Sequence, residues 1–290
     1  MRILVTGASG MLGATLVNRL SKTNKVYATG NSEYKECPVA YKQFNLESDS
    51  YENLINWSNP DIIIHCGALT NGNYCEANPL QAFNVNGLSL RKFIDSTNES
   101  VKVIYISSDA VFPSKLNLAK ETDSVSPESV YGKSKELGEF FLLSSERKFT
   151  IIRTTIVGLN ENKSKSGFVE WIINSSLRNE SIGLFNDVIF TPISIWDLSI
   201  ELEYLVENNL IASEILHIAG RKHLTKYDFG LKLLETLNLS RNKVKKDVIS
   251  SFSDRAKRCT DQSLDVSFYE QKYDRVLPTV ENTKYKKTLQ

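Results

Sequence analysis

The sequence predicts an α/β fold, a doubly wound parallel sheet with a smaller C-terminal lobe. Three observations predict it. Short apolar runs recur at 3–5, 62–64, 103–106 and 151–152, as strands buried on both faces require. Helical amphipathic stretches separate them. A glycine-spaced loop, Gly7-Ala8-Ser9-Gly10-Met11-Leu12-Gly13, joins the first run to the first helix. The 290 residues suit one large domain or two unequal ones. The expected division is 1–157, with a returning segment at about 190–220, and 158–290 as the lobe.

Composition narrows the function classes. Hydrophobic residues make up 41% and charged residues 24%, enough for a sizeable core. With 35 basic and 34 acidic residues the net charge is +1, which argues against a nucleic-acid surface. No apolar run approaches the roughly 18 residues of a membrane span. The N-terminus enters a strand-and-turn pattern at once and lacks signal-peptide features. Cys37, Cys66, Cys75 and Cys259 form no Cys-x-x-Cys pair and suit reduced thiols, so the cytoplasm is the expected location. His65, His217 and His223 share no ligand spacing with them, so no metal is expected.

The elements follow in order. Ile3-Leu4-Val5 is a buried strand, and Leu16, Val17 and Leu20 form the apolar face of the next helix. Between them Gly7 allows a tight turn, Gly10 lets backbone approach a pyrophosphate and Gly13 lets helix pack on strand. The helix N-terminus offers free N–H groups to phosphate. Gly7, Ser9, Gly10, Met11, Leu12 and Gly13 are therefore candidate cofactor-binding residues. The second strand, 25–29, ends in Gly30-Asn31-Ser32. An acid at that point usually binds the ribose 2′-hydroxyl of NAD. Without one a 2′-phosphate meets no charge clash, and Lys35 is a nearby cation, so NADPH is favoured over NADH. Asn31 and Ser32 are candidates here. Asn45 and Leu46, after a third short strand, are candidates beside the adenine.

The fourth strand, 61–66, runs into the small residues Gly67-Ala68-Leu69-Thr70, where a cofactor can lie against backbone. Cys66, Gly67, Ala68 and Thr70 are candidates, whereas His65 reads as packed at the strand end. A helix from Pro79 to Asp95 carries Asn86 on a face otherwise built from Phe83, Leu90 and Phe93. The fifth strand ends in Ser107-Ser108-Asp109, at the carboxyl rim where such sheets bind ligands. A polar loop, 112–129, delivers the chain to Val130-Tyr131-Gly132-Lys133-Ser134-Lys135. Ile151 to Thr154 is the sixth strand.

Tyr131 and Lys135 are four residues apart and leave one face of a helix. A phenol beside a fixed ammonium ionises more easily, so the Tyr131 pKa is expected below its free value near ~10. That would make it a usable acid or base. The spacing alone is common on helix surfaces. Its weight comes from following the glycine loop and the Ser107-Ser108-Asp109 strand end.

Together these motifs resemble the extended short-chain dehydrogenase/reductases, which have a Rossmann fold, and among them the dTDP-4-dehydrorhamnose reductase family. The matching stretches are 65–79, 106–112, 130–139, 153–155, 187–198, 216–220, and Arg258 with 263–265, so the likeness covers nearly the whole chain. The resemblance implies that reduced nicotinamide delivers hydride to a keto carbon of a nucleotide sugar, in surface polysaccharide synthesis. In that reading Tyr131 donates a proton to the forming alkoxide and Ser108 hydrogen-bonds the same oxygen. Lys135 holds the nicotinamide ribose and lowers the tyrosine pKa. It also implies cofactor roles for Asn86, Ser107 and Thr154, and substrate contacts at Asp109, Val111 and Phe112. Sugar dehydratases of this superfamily carry Asp-Glu where this chain has Asp109-Ala110, and fucose-type epimerase-reductases carry cysteine at Ala110. Simple reduction remains. A 4-epimerase, which needs neither group, is the alternative, as is a non-catalytic NADP-binding regulatory subunit. The chain departs from the family at Asn73, at 187–193 and at Cys259, towards the substrate side. The base and the sugar therefore stay open.

In the second half, 160–167 is a polar loop expected over the mouth of the site. Phe168 starts a helix, and Trp171 on it is a candidate for flanking base or sugar, with core packing as the competing reading. Residues 193–206 read as a returning strand and helix. Thr225 to Asp228 opens a capped helix. Arg258, ahead of Arg255, is the candidate diphosphate clamp, because arginine forks onto phosphate oxygens. The expected partner is a nucleotide-sugar substrate, with no nucleic acid and no membrane, and a homodimer is left open.

Overall fold

A computed structural model describes residues 1–114, 116–161, 166–251 and 259–279. β1 (Arg2–Thr6) is split by its alternation, with Ile3 and Val5 facing one core and Leu4 the other. α1 (Met11–Leu20) buries Leu16, Val17 and Leu20 completely. β2 (Lys25–Gly30) and β3 (Ala40–Gln43) follow. α2 (Tyr51–Ser58) is capped by the Ser50 side chain, which accepts from Asn53 N, and stops at Asn59, in the left-handed region at φ 40°. Then come β4 (Ile62–His65), α3 (Gly72–Ala77), α4 (Pro79–Phe83), a π turn at Asn84–Leu88 and α5 (Ser89–Ser96).

The single helix expected from Pro79 to Asp95 is thus broken in its middle. There the Asn86 side chain accepts from Leu69 N (2.7 Å) and donates to Leu69 O (3.0 Å) and Ser134 Oγ (2.9 Å). Ser89 Oγ donates back to Val85 O at 2.7 Å. These side-chain bonds favour the wider turn, a feature that periodicity does not reveal.

β5 (Lys102–Ile106) leads to a 3₁₀ turn at Asp109–Val111, then α6 (Val130–Leu143), capped by Ser129, and β6 (Phe149–Arg153). β7 (Ile156–Val157), α7 (Phe168–Leu177), β8 (Ile182–Phe185), β9 (Ile189–Phe190), β10 (Ile193–Ser194) and α8 (Ile195–Glu207) continue. The described chain ends through β11 (Glu214–His217), β12 (Leu224–Thr225), α9 (Lys226–Thr236), β13 (Val244–Asp247), β14 (Asp261–Gln262) and α10 (Ser267–Tyr273).

The central sheet has seven strands in the order β3-β2-β1-β4-β5-β6-β11, all parallel. Chain direction across the sheet reverses between β1 and β4, which opens a crevice at their carboxyl ends. α1 and α8 cover one face through Leu16, Leu20, Leu198, Leu202 and Leu205. α2, α5 and α6 cover the other through Leu54, Phe93, Leu90 and Leu142. Burying each such leucine is worth about 1.5–3 kcal/mol as an upper figure, so the helices hold the crevice walls firmly. A separate cluster joins Val157, Val169, Ile172, Leu184, Phe190, Phe229 and Leu233. The strand expected at 193 does not enter the central sheet. β10 is two residues long and pairs with β7, and β11 makes the return beside β6. Among the described residues, no helix is long and apolar enough to cross a membrane, and no cluster of metal-ligating side chains occurs.

Candidate active site

A cavity of about 720 Å³ opens at the carboxyl ends of β1, β2, β4 and β5. Its floor is the glycine loop. Gly7 has φ +66°, and a Cβ there would sit 2.7 Å from Gly67 N. A Cβ on Gly13 would lie 2.3 Å from Gly7 O, so only glycine lets α1 approach β1 this closely. Gly10 is the N-cap of α1 and caps it with no side chain, which leaves the first-turn N–H groups facing the crevice. This cradle fits the diphosphate of a dinucleotide.

Most residues singled out from sequence line this cavity. Gly7, Ser9, Gly10, Met11, Leu12 and Gly13 form one wall, with Asn31, Ser32, Asn45 and Leu46 at the far end. Cys66, Gly67, Ala68 and Thr70 form the opposite wall, and Ser107, Ser108, Asp109, Tyr131, Lys135 and Thr154 the end beside β5 and α6. Asn86 is fully buried behind the wall, where it ties the Leu69 backbone to Ser134 on α6. Val111 and Phe112 are also buried and do not line the cavity. Trp171 fits neither reading. It is 41% exposed and stacks on Phe168 at 6.2 Å, because α7 buries its Val169, Ile172 and Ile173 stripe instead. Phe168, not Trp171, lines the cavity. Arg255, Arg258 and the loop positions 162–165 lie outside the described residues. Lys35 is largely exposed, 3.8 Å from Glu33.

At the end beside β5 and α6, Ser108 Oγ donates to Asp109 Oδ1 at 2.9 Å and accepts from Ala110 N at 3.2 Å. The Ser108 hydroxyl and the Tyr131 phenol line the same end of the cavity. Thr155 Oγ1 donates to the other Asp109 oxygen. Lys135 Nζ donates to Ile106 O at 2.8 Å and lies 4.2 Å from the centre of the Tyr105 ring.

The electrostatics correct one expectation. Burial pushes Tyr131 up to about 12. The Asp109 charge adds to that, and the Ser108 hydroxyl only partly opposes it. The Lys135 ammonium is not among the influences on the phenol; it is bonded instead to the Ile106 carbonyl. Burial lowers Lys135 to about 7, against the charge of Glu139. Burial also raises Asp109, opposed by bonds from Thr155 and Ser108 and by the Lys226 charge. In this setting Tyr131 holds its proton firmly at neutral pH, as a donor does. His65 packs at the strand end, as expected, with Nδ1 2.8 Å from Thr6 Oγ1 and Nε2 3.1 Å from Ser89 Oγ.

Several contributors escaped the sequence reading. Thr155, Ile156, Asn160 and Phe168 line the end of the cavity beyond Tyr131. Lys226 lies 3.3 Å from the centre of the Phe190 ring, and its charge reaches Asp109. The carboxyl-rim rule that marked Ser108 could have marked Thr155 just past β6. No local signal marks Lys226, which arrives from a distant helix.

Comparison with known proteins agrees with this geometry. The model of the RmlD substrate binding domain matches residues 1–288. The chain belongs to this family. The probable low-salt glycan biosynthesis reductase Agl14 of Haloferax volcanii is 26% identical, covering 97% of this chain and 95% of that protein. The dTDP-4-dehydrorhamnose reductase of Aggregatibacter actinomycetemcomitans is 26% identical, covering 81% and 78%. The crystal structure of dTDP-4-dehydrorhamnose reductase from Bacillus anthracis in complex with NADP superposes with a TM-score of 0.84 at 24% identity, covering 97% and 95%. That last likeness carries the fold.

Proposed function

We propose that this protein is an NAD(P)H-dependent reductase of a nucleotide-linked 4-keto sugar, acting in surface polysaccharide synthesis. One observation carries the reading. Ser108, Tyr131 and Lys135 meet at one end of the cavity whose floor is the glycine loop. The family membership and the named reductases among its relatives support it.

A bound reduced nicotinamide supplies the hydride. The residues of this chain do the rest. The glycine loop and the N-terminus of α1 hold the cofactor diphosphate. Tyr131, protonated at neutral pH, gives its proton to the carbonyl oxygen as that oxygen gains charge. Ser108 hydrogen-bonds the same oxygen, and Asp109 orients Ser108 by accepting its hydrogen bond. Lys135, held by the Ile106 carbonyl, would hold the nicotinamide ribose of a bound cofactor. Thr155, Ile156 and Phe168 line the end of the cavity where the sugar would lie.

The test is to incubate the purified protein with NADPH or NADH and a panel of dTDP- and UDP-linked 4-keto-6-deoxy sugars. Stoichiometric loss of reduced cofactor, with a matching hydroxy sugar by mass, is expected. Interconversion of two sugar epimers without net cofactor consumption would mean a 4-epimerase instead. Tight cofactor binding with no turnover across the panel would mean a regulatory subunit.

A further inference from the structure

We propose that Glu139 and Arg153 form a positioning pair that keeps Lys135 in its charged form and anchors the strand end carrying Ser107. This deepens the reductase reading and rests on it. Tyr131, Lys135 and Glu139 follow one another at intervals of four along α6, so all three leave one face. Glu139 and Arg153 are each 2% exposed. Arg153 Nη2 donates to Glu139 Oε2 at 2.7 Å and Nε to Oε1 at 3.1 Å. Ser107 Oγ donates to the same Oε1 at 2.5 Å. One carboxylate thus ties α6 to the ends of β5 and β6, directly behind the reacting groups.

Stability alone does not account for this arrangement. A buried ion pair generally contributes no more than well-packed apolar side chains of the same volume. The need lies next door. Lys135 is 2% exposed, and its ammonium has a carbonyl and an aromatic ring as its nearest partners. Two neutral partners do not offset the loss of water around a full charge. The titratable groups facing Lys135 are His65 and Cys66 at the end of β4, Tyr105 on β5, and Tyr131 and Glu139 on α6. His65 is held neutral, and Cys66, Tyr105 and Tyr131 are pushed up and remain uncharged. Glu139 is therefore the anion in this set, and its charge is the foremost influence opposing burial at Lys135. Arg153 fixes the direction in which that carboxylate points. Behind Arg153 stand His217 and Glu121, both within reach of its charge.

The experiment is the pH dependence of kcat/KM in the reducing direction, together with NADPH affinity by fluorescence over the same range. Activity that needs charged Lys135 falls as pH rises through its titration. In Glu139→Gln that alkaline limb moves to lower pH by about one unit or more, the size of effect a neighbouring opposite charge exerts. Glu139→Gln/Arg153→Met, which leaves neither member of the pair charged, shows a displacement in the same direction but smaller, because a like charge is removed with the anion. It covers the case in which the single variant does not fold. Glu139→Asp restores the limb towards the wild-type position. Variants that lose rate uniformly, with limbs at the wild-type pH, would make the pair structural only and overturn the proposal. The affinity profile needs no turnover, so a wild-type protein that reduces nothing would refute the reductase reading and still leave this measurement decisive.

Discussion

Gly132 sits between the two catalytic candidates of α6, and replacing it with alanine tests how the site is assembled. A Cβ there would stand 2.2 Å from the Ala110 carbonyl oxygen and 2.8 Å from Pro127 Cβ. Ordinary contact begins at 3.4 Å, so the backbones must separate by 3.4 minus 2.2, or 1.2 Å. The Ala110 side cannot yield easily. Its N–H is held by Ser108 Oγ, and Asp109 N is bonded to Thr154 O at the end of β6. The start of α6 therefore moves, and Tyr131 moves with it, away from Ser108. Overpacking of this kind costs about 1–3 kcal/mol. The better helix propensity of alanine offsets at most about 1 kcal/mol, so the net loss of stability is modest, about 0–2 kcal/mol. The catalytic loss is larger, because a displacement near 1 Å lowers rates by about 100-fold. Urea denaturation and kcat/KM with NADPH and the accepted keto sugar separate the two effects. A Gly132→Ala enzyme of wild-type kcat/KM would refute the claim that Tyr131 must be held against the Ser108 turn.

Other outcomes follow from the same geometry. Tyr131→Phe removes the proton donor and should lower kcat by about 100- to 10,000-fold while NADPH affinity by fluorescence stays near wild type; a kcat within a few-fold of wild type would remove Tyr131 from the chemistry. Gly13→Ala places a Cβ 2.3 Å from Gly7 O, so cofactor binding should be lost in calorimetry while the fold, read by circular dichroism, is destabilised; unaltered NADPH affinity would contradict the close approach. His65 and His217 are both buried, which lowers each to about 3, well under the ordinary value near ~6.5. The unfolded chain therefore takes up two protons that the native state refuses. Stability present above pH ~6.5 is lost as pH falls towards 3, at up to about 3 kcal/mol per pH unit for the pair. Denaturation midpoints that stay flat between pH 7 and 5 would show that these imidazoles are not the neutral groups the packing requires.

How much of this was legible in advance depends on the range over which each feature is decided. Local patterns suffice for β1, the glycine loop and α1, because an apolar run, three glycines and a helical stripe lie within 20 consecutive residues. They suffice as well for Ser108 at a strand end and for Tyr131 with Lys135 on one helix face. They failed at the π turn, where Asn86 bonds a loop 17 residues away. They failed for Trp171 too, since an aromatic at helical spacing gives no sign of which stripe of α7 will be buried.

The sequence by itself determined the parallel sheet, the glycine-loop cradle and the placing of Tyr131 and Lys135 on one helix face, because backbone geometry and period dictate them. Only the tertiary structure decided the charges at the site. Burial at the junction of β5, β6 and α6 holds the Tyr131 proton on and brings Lys135 down to about 7, against the sign expected from a tyrosine and a lysine read side by side. Desolvation belongs to a place in the fold, created by strands and helices far apart in the chain, and no local spacing encodes it.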